Sequence, residues 1–141
     1  MTEHEKVAET SRLGGRLRQV LAMLGAEFLL GMGANLVGLP SEVKGAAHAV
    51  TLTLIGVHAL LAIGIVVVAF LVSRSASEEQ VAVRPTTIGG ISVAVTFVAG
   101  LGTLMTGSAW LSFVMAAGFL AAAAMYVAAY AEVSRRAPAV G

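Results

Sequence analysis

Residues 57–72 read VHALLAIGIVVVAFLV: a histidine near the start, then fourteen positions without a charged or hydrogen-bonding side chain. A helix in the core of a soluble protein keeps one polar face, and this stretch has none. With the apolar residues before it the run extends from Ala46 to Val72, more than the roughly 20 residues an α-helix needs to cross the hydrocarbon of a bilayer.

The rest of the chain follows the same rule. Of 141 residues, 57% are hydrophobic and only 12% charged, about half the charged share of a soluble domain, and the mean hydropathy is +0.88. Three further segments are apolar enough to span: Leu17 to Leu39, Thr86 to Met105 and Ala109 to Val133. The expected fold class is therefore all-α, a four-transmembrane-helix bundle over residues 17–133, with tails at 1–16 and 134–141. Gly14 and Gly15 are expected to break the N-terminal tail into a frayed or short surface helix. The predicted connections are LPSEVKG around Pro40, the polar stretch SRSASEEQVAVRP from Ser73 to Pro85, and the tight turn TGS from Thr106 to Ser108.

Charge sets the expected orientation. Eight of the nine Lys and Arg residues, namely Lys6, Arg12, Arg16, Arg18, Arg74, Arg84, Arg135 and Arg136, fall at the termini or in the middle loop, against Lys44 alone on the other side. The positive-inside rule then predicts a multi-pass protein of the cell membrane with both termini cytoplasmic. Trp110 at the outer end of helix four and Tyr126 and Tyr130 near its inner end read as interfacial aromatics. The basic residues ahead of helix one have the outline of a secretory signal, but the apolar run is long, contains Glu27 and lacks a small-x-small cleavage site. It reads as a retained helix.

Several function classes have no support. A net charge of +1 without a basic stripe gives no sign of a nucleic-acid partner. The absence of cysteine excludes disulfides, thiol catalysis and Cys-based metal sites. No phosphate-binding loop with its lysine, HExxH or GxSxG is present, so an enzyme is not indicated.

An internal repeat is visible in the glycines. EFLLGMGANLVG at 27–38 set over TFVAGLGTLMTG at 96–107 pairs Phe28 with Phe97, Gly31 with Gly100, Gly33 with Gly102 and Gly38 with Gly107, at an offset of 69. The triplet VSR at 72–74 recurs at 133–135, an offset of 61, which sets His58 against Phe119. Two duplicated helix hairpins are the expected origin. Glu27, Asn35 and His58 have no polar counterparts other than Thr96, opposite Glu27.

These ionisable residues form a stripe. At 100° per residue Glu27, Gly31, Asn35 and Gly38 share a face of helix one, while Thr51, His58 and Ala62 share one of helix two, with His48 toward its edge. Glu27 lies twelve residues from Leu39 and His58 twelve from Ala46, about 18 Å along each helix. They are expected at one level. An isolated charge at mid-bilayer costs about 2.5–3.5 kcal/mol, whereas a carboxyl and an imidazole side by side can share one proton. The first functional expectation is a transporter or channel-like protein with a proton- or cation-binding site at Glu27 and His58, lined by Asn35, Thr51 and His48. The plainer reading makes these polar groups hydrogen-bonding glue between helices. Gly31, Gly33, Gly38, Gly100, Gly102 and Gly118 read as close-packing positions, and Met23, Met32, Met105, Met115 and Met125 as core filler. Self-association into a homo-oligomer, or a non-catalytic place in a larger membrane complex, is the expected partnership beyond the lipid bilayer.

Two resemblances attach to these residues. AEFLLG at 26–31 resembles the helix-one glutamate segment of small multidrug-resistance transporters, a likeness confined to that segment. EFLLGMGANLVGLP with VHALLAIGIVVVAFLV, about half the chain, is similar to helix hairpins of haem A synthase and related four-helix membrane haem proteins, in which paired histidines bind haem. That resemblance implies a b-type haem as the alternative cofactor, with His58 in the place of the leading histidine and Phe119 where a partner is needed.

Overall fold

A computed structural model describes residues 3–38 and 43–136, with side-chain surroundings from Arg12 onward. Pro40 and its immediate neighbours lie outside the described residues. Four helices account for almost all of them: α1 (Glu3–Val37), α2 (Ala46–Glu79), α3 (Val83–Thr106) and α4 (Ala109–Arg136). Each contains a stretch long and apolar enough to cross a membrane. Neighbouring helices run antiparallel in a ring, α1 against α2, α2 against α3, α3 against α4 and α4 against α1, while the backbones of the diagonal pairs stay further apart. The α1–α2 and α3–α4 connections share one end, here the hairpin end; the chain ends and the α2–α3 connection share the other, the termini end.

Two boundaries differ from the sequence expectation, for the same reason. Gly14 and Gly15 do not interrupt the chain, and α1 is continuous from Glu3, because Leu13 and Leu17 are fully buried and hold this segment in the bundle. The expected loop at 73–85 likewise shrinks to residues 80–82, since Ser75 and Ala76 are buried and α2 continues to Glu79. Its turn is made by Gln80 and Ala82, both with left-handed backbone (φ 54° and 53°), and the Ala82 N–H donates to Glu132 Oε1 at 3.3 Å. Arg16 donates to Ser75 across α1 and α2 at this end.

Sixteen of the buried residues obey one spacing. They are Leu13, Leu17, Val20 and Leu24 on α1; Ile65, Ala69, Val72 and Ala76 on α2; Ala82, Thr86, Gly89 and Val93 at and along α3; and Ala122, Tyr126, Ala129 and Val133 on α4. In every helix the steps are 4, 3 and 4, the heptad rhythm of layered helix packing. Antiparallel neighbours stack these into four layers: Leu13 with Ala76, Ala82 and Val133 nearest the termini, up to Leu24 with Ile65, Val93 and Ala122 near the middle. Contacts agree with the layers. A Cβ on Gly14 would lie 3.7 Å from Val133, and one on Gly89 only 3.1 Å from Tyr126 Cζ. Tyr126, expected at the interface, is thus a core residue, its ring seated on the notch that Gly89 leaves.

The layers also keep constant offsets between the two hairpins. Each α1 core position has its α3 counterpart 69 residues on (13 and 82, 24 and 93), and each α2 position its α4 counterpart 57 residues on (65 and 122, 76 and 133). Both α1 and α3 stop at a glycine with positive φ, Gly38 at 102° and Gly107 at 65°, whose N–H groups return to Ala34 O and Thr103 O. Matched at 69, these two glycines are helix terminators, a role that favours a residue without Cβ.

Candidate functional site

The filled core stops at mid-bundle. Toward the hairpin end the buried described residues are Glu27, Thr51 and Ala99, where the other half has all four layers. Continuing the heptad steps gives a fifth layer of Glu27, Ala62, Thr96 and Phe119, and a sixth of Gly31, His58, Gly100 and Met115. Only Glu27 among these eight is buried; the other seven are half-buried despite their core positions. The shortfall is partly in the side chains themselves, because the two layers hold two glycines and an alanine.

Contacts place the members where the spacing puts them. A Cβ on Gly31 would sit 3.3 Å from His58 Cε1, and one on Gly100 would sit 3.3 Å from Met115 Sδ. One turn further out, the Gly33 position is 3.9 Å from Leu54 and that of Gly102 is 2.7 Å from Leu111. The partners differ by 57 in both pairs (115 against 58, 111 against 54), the offset of the buried layers. His58 therefore corresponds to Met115. The alignment with Phe119 drawn from VSR is out by four residues, one helical turn. Phe119 instead stacks on Phe28 of α1, with ring centroids 5.8 Å apart.

At the centre of the site Glu27 Oε1 lies 3.2 Å from His58 Nδ1, with side chains 10% and 33% exposed. The approach is close but off line, and Nδ1 has no directed hydrogen bond. Glu27 Oε2 and Thr96 Oγ1 are also buried without a partner. Unpaired buried polar atoms are uncommon in proteins and cost about 1–3 kcal/mol each. Three of them fall in these two adjacent layers.

The remaining expected lining is dispersed. Asn35 is exposed: the inward positions at this level are Gly31, Ala34 and Gly38, and Asn35 stands 100° from Ala34. The expected second polar level of Asn35 with Thr51 or His48 is therefore not assembled. Thr51 is fully buried with an unpartnered hydroxyl, but stands seven residues from His58, about 10 Å along α2. His48 is half-buried in the first turn of α2. Of the six packing glycines, Gly31, Gly33, Gly100 and Gly102 receive the side chains named above, Gly118 lies against Thr96 Oγ1, and Gly38 ends its helix. Thr96 and Met115 are the members the sequence reading did not assign to the site; heptad spacing carried through the glycines would have found both.

Among the described residues no three His, Cys, Asp or Glu side chains gather as ligands for a bare metal ion. Comparison with protein-family models, curated proteins and solved structures finds no match.

Proposed function

We propose that this is a multi-pass protein of the cell membrane, its termini cytoplasmic, that holds a b-type haem in the fifth and sixth layers with His58 as axial ligand. The observation that carries this is the combination at His58: a glycine of α1 against the ring, a buried carboxylate 3.2 Å from Nδ1, and half-buried core positions beside it. Histidines that bind metals regularly pair their second ring nitrogen with a carboxylate, which fixes the tautomer and makes the other nitrogen a better donor. Glu27 would take this part, close to Nδ1 but off line as it stands, and Nε2 would be the nitrogen toward iron. Gly31 lets the His58 ring seat directly against α1. A bound haem supplies one-electron exchange at its iron, which makes the chain an electron-transfer or haem-handling protein. The eight-to-one distribution of basic residues supports this orientation.

The test is an absorption spectrum of gently solubilised protein purified from haem-replete cells, oxidised and then reduced with dithionite. A Soret band with α and β bands sharpening on reduction is expected, and its loss in His58→Ala. A colourless wild-type preparation overturns the reading.

The buried, unpartnered Glu27 Oε2 favours a second reading, a proton- or cation-binding site with Glu27 as acceptor and His58 as its partner. Its signature is proton flux into liposomes that is abolished by Glu27→Gln in a protein carrying no chromophore.

A further inference from the structure

We infer that the hairpin half of the bundle is a vestibule for water and small cations, open at the hairpin end, closed toward the termini, and ending at His58 with Glu27 enclosed behind it. This goes beyond the haem reading and does not rest on it.

The 4, 3, 4 spacing continues past the sixth layer. A seventh layer holds Ala34, Ile55, Thr103 and Ser112. An eighth holds Gly38, Thr51, Gly107 and Ser108, and His48 is the next step on α2, at the rim. Thr51 and His48, which stand too far from His58 to join its site, thus lie along the approach to it. In the first four layers all sixteen positions are buried, whereas in the seventh and eighth only Thr51 is. A position that points at the bundle axis and is still accessible is reached along the axis or between the helices. The lining decides for water along the axis: four of these eight residues carry hydroxyls, three are glycine or alanine, and Ile55 alone is large and apolar. Water needs polar partners in such a space, whereas an acyl chain gains nothing from hydroxyls.

The sixth layer narrows the path without closing it. His58 and Met115 sit against Gly31 and Gly100, yet all four positions are half-buried and the His58 side chain keeps 33% of its surface exposed. Glu27 lies one layer deeper, its side chain 10% exposed and its Oε1 3.2 Å from His58 Nδ1, so the imidazole stands between the vestibule and the carboxylate. Glu27 Oε2 and the Thr51 hydroxyl, one at each end of the path, are buried without a partner, and intramembrane carboxylates characteristically face a bundle interior or a water-filled cavity. Charge favours cations. Among the inward positions of layers five to eight none is Lys or Arg; Glu27 on α1 is faced by His58 on α2, and α3 and α4 contribute no titratable group. The path is blind, because Leu24, Ile65, Val93 and Ala122 close the bundle directly beneath Glu27.

The chain has no cysteine, so single-cysteine variants of the full protein test this directly in sealed vesicles, with sidedness set by protease access to an N-terminal tag. The probes are a membrane-impermeant trimethylammonium methanethiosulfonate and, where the path is narrow, silver ion, both read as protection against later maleimide labelling in SDS. Ser112→Cys and Ala34→Cys should react from the hairpin side about tenfold or more faster than the lipid-facing Leu104→Cys, since only a thiol in contact with water forms the reactive thiolate. Met115→Cys should be protected by silver from that side, and Ala122→Cys from neither side. Seventh-layer variants no faster than Leu104→Cys, or reacting equally from the termini side, overturn the vestibule. Reactive seventh-layer variants with Met115→Cys unprotected overturn its reach to His58. The absorption spectrum of the same samples reports on haem separately, so a colourless preparation overturns that reading and leaves this one standing.

Discussion

Replacing Tyr126 with phenylalanine removes a single oxygen from the largest fully buried side chain, and the structure determines the sign of the effect. Tyr126 is 0% exposed, its ring rests on Gly89, and its hydroxyl has no hydrogen-bond partner. Where a buried tyrosine makes a hydrogen bond, deleting the hydroxyl loses about 0.5–1.5 kcal/mol. Here there is no such bond to lose, and what is removed is a buried polar group whose unpaired burial costs about 1–3 kcal/mol. The small void left behind takes back about 1 kcal/mol, by analogy with deletion of one methylene. Tyr126→Phe is therefore expected to stabilise the bundle by about 1 kcal/mol, from the difference of those two magnitudes. Reversible unfolding by SDS in mixed micelles, followed by far-UV circular dichroism, measures it. A loss of about 1 kcal/mol or more would refute the reasoning, because it would require a hydrogen bond of the size usually found for tyrosine. The partner would then be sought at Ser73, since a Cβ on Gly90 would lie 3.0 Å from Ser73 Oγ and 3.9 Å from the Tyr126 hydroxyl.

Other perturbations test the packing and the site's limits. Gly118→Ala drives a methyl group into Thr96 Oγ1 and should cost about 1–3 kcal/mol, as overpacking does; Thr96→Ala in the same chain should recover most of that loss in a double-mutant cycle. Gly107→Ala forces a side chain into the left-handed conformation that closes α3 and should cost about 1–2 kcal/mol, measured in the same unfolding titration. Asn35→Leu should leave stability within about 0.5 kcal/mol and ligand occupancy unchanged, since Asn35 faces away from the layers; a colourless or destabilised variant would return it to the site.

The architecture was legible in the sequence to a large extent because its cause is local. Backbone polar groups cannot be left unpaired in hydrocarbon, so an apolar run of sufficient length becomes a helix whatever its neighbours. The 69-residue offset between the hairpins was readable for a similar reason: Gly38 and Gly107 are required by the backbone of their own helices. Counting inward from the helix ends sets Glu27 level with His58, and the two lie 3.2 Å apart although α1 ends at Val37, two residues short of Leu39. The error was within the reach of a glutamate side chain.

Register between helices was a different matter. A shift of four residues rotates a helix face by only about 40°, so VSR could be aligned one turn out without disturbing any apolar pattern, and Phe119 took the place of Met115. The same ambiguity misplaced Asn35, which follows Gly31 by four residues as Ala34 follows it by three. Composition, span and the presence of an intramembrane carboxylate and imidazole were thus determined by the chain's own residues, each through its own transfer into lipid. Which methionine stands across from His58, that Asn35 turns outward and Tyr126 inward, and that the core stops below Glu27 were decided only in the tertiary structure. These depend on how side chains of one helix seat against the missing side chains of the next, a relation between helices that no single helix encodes.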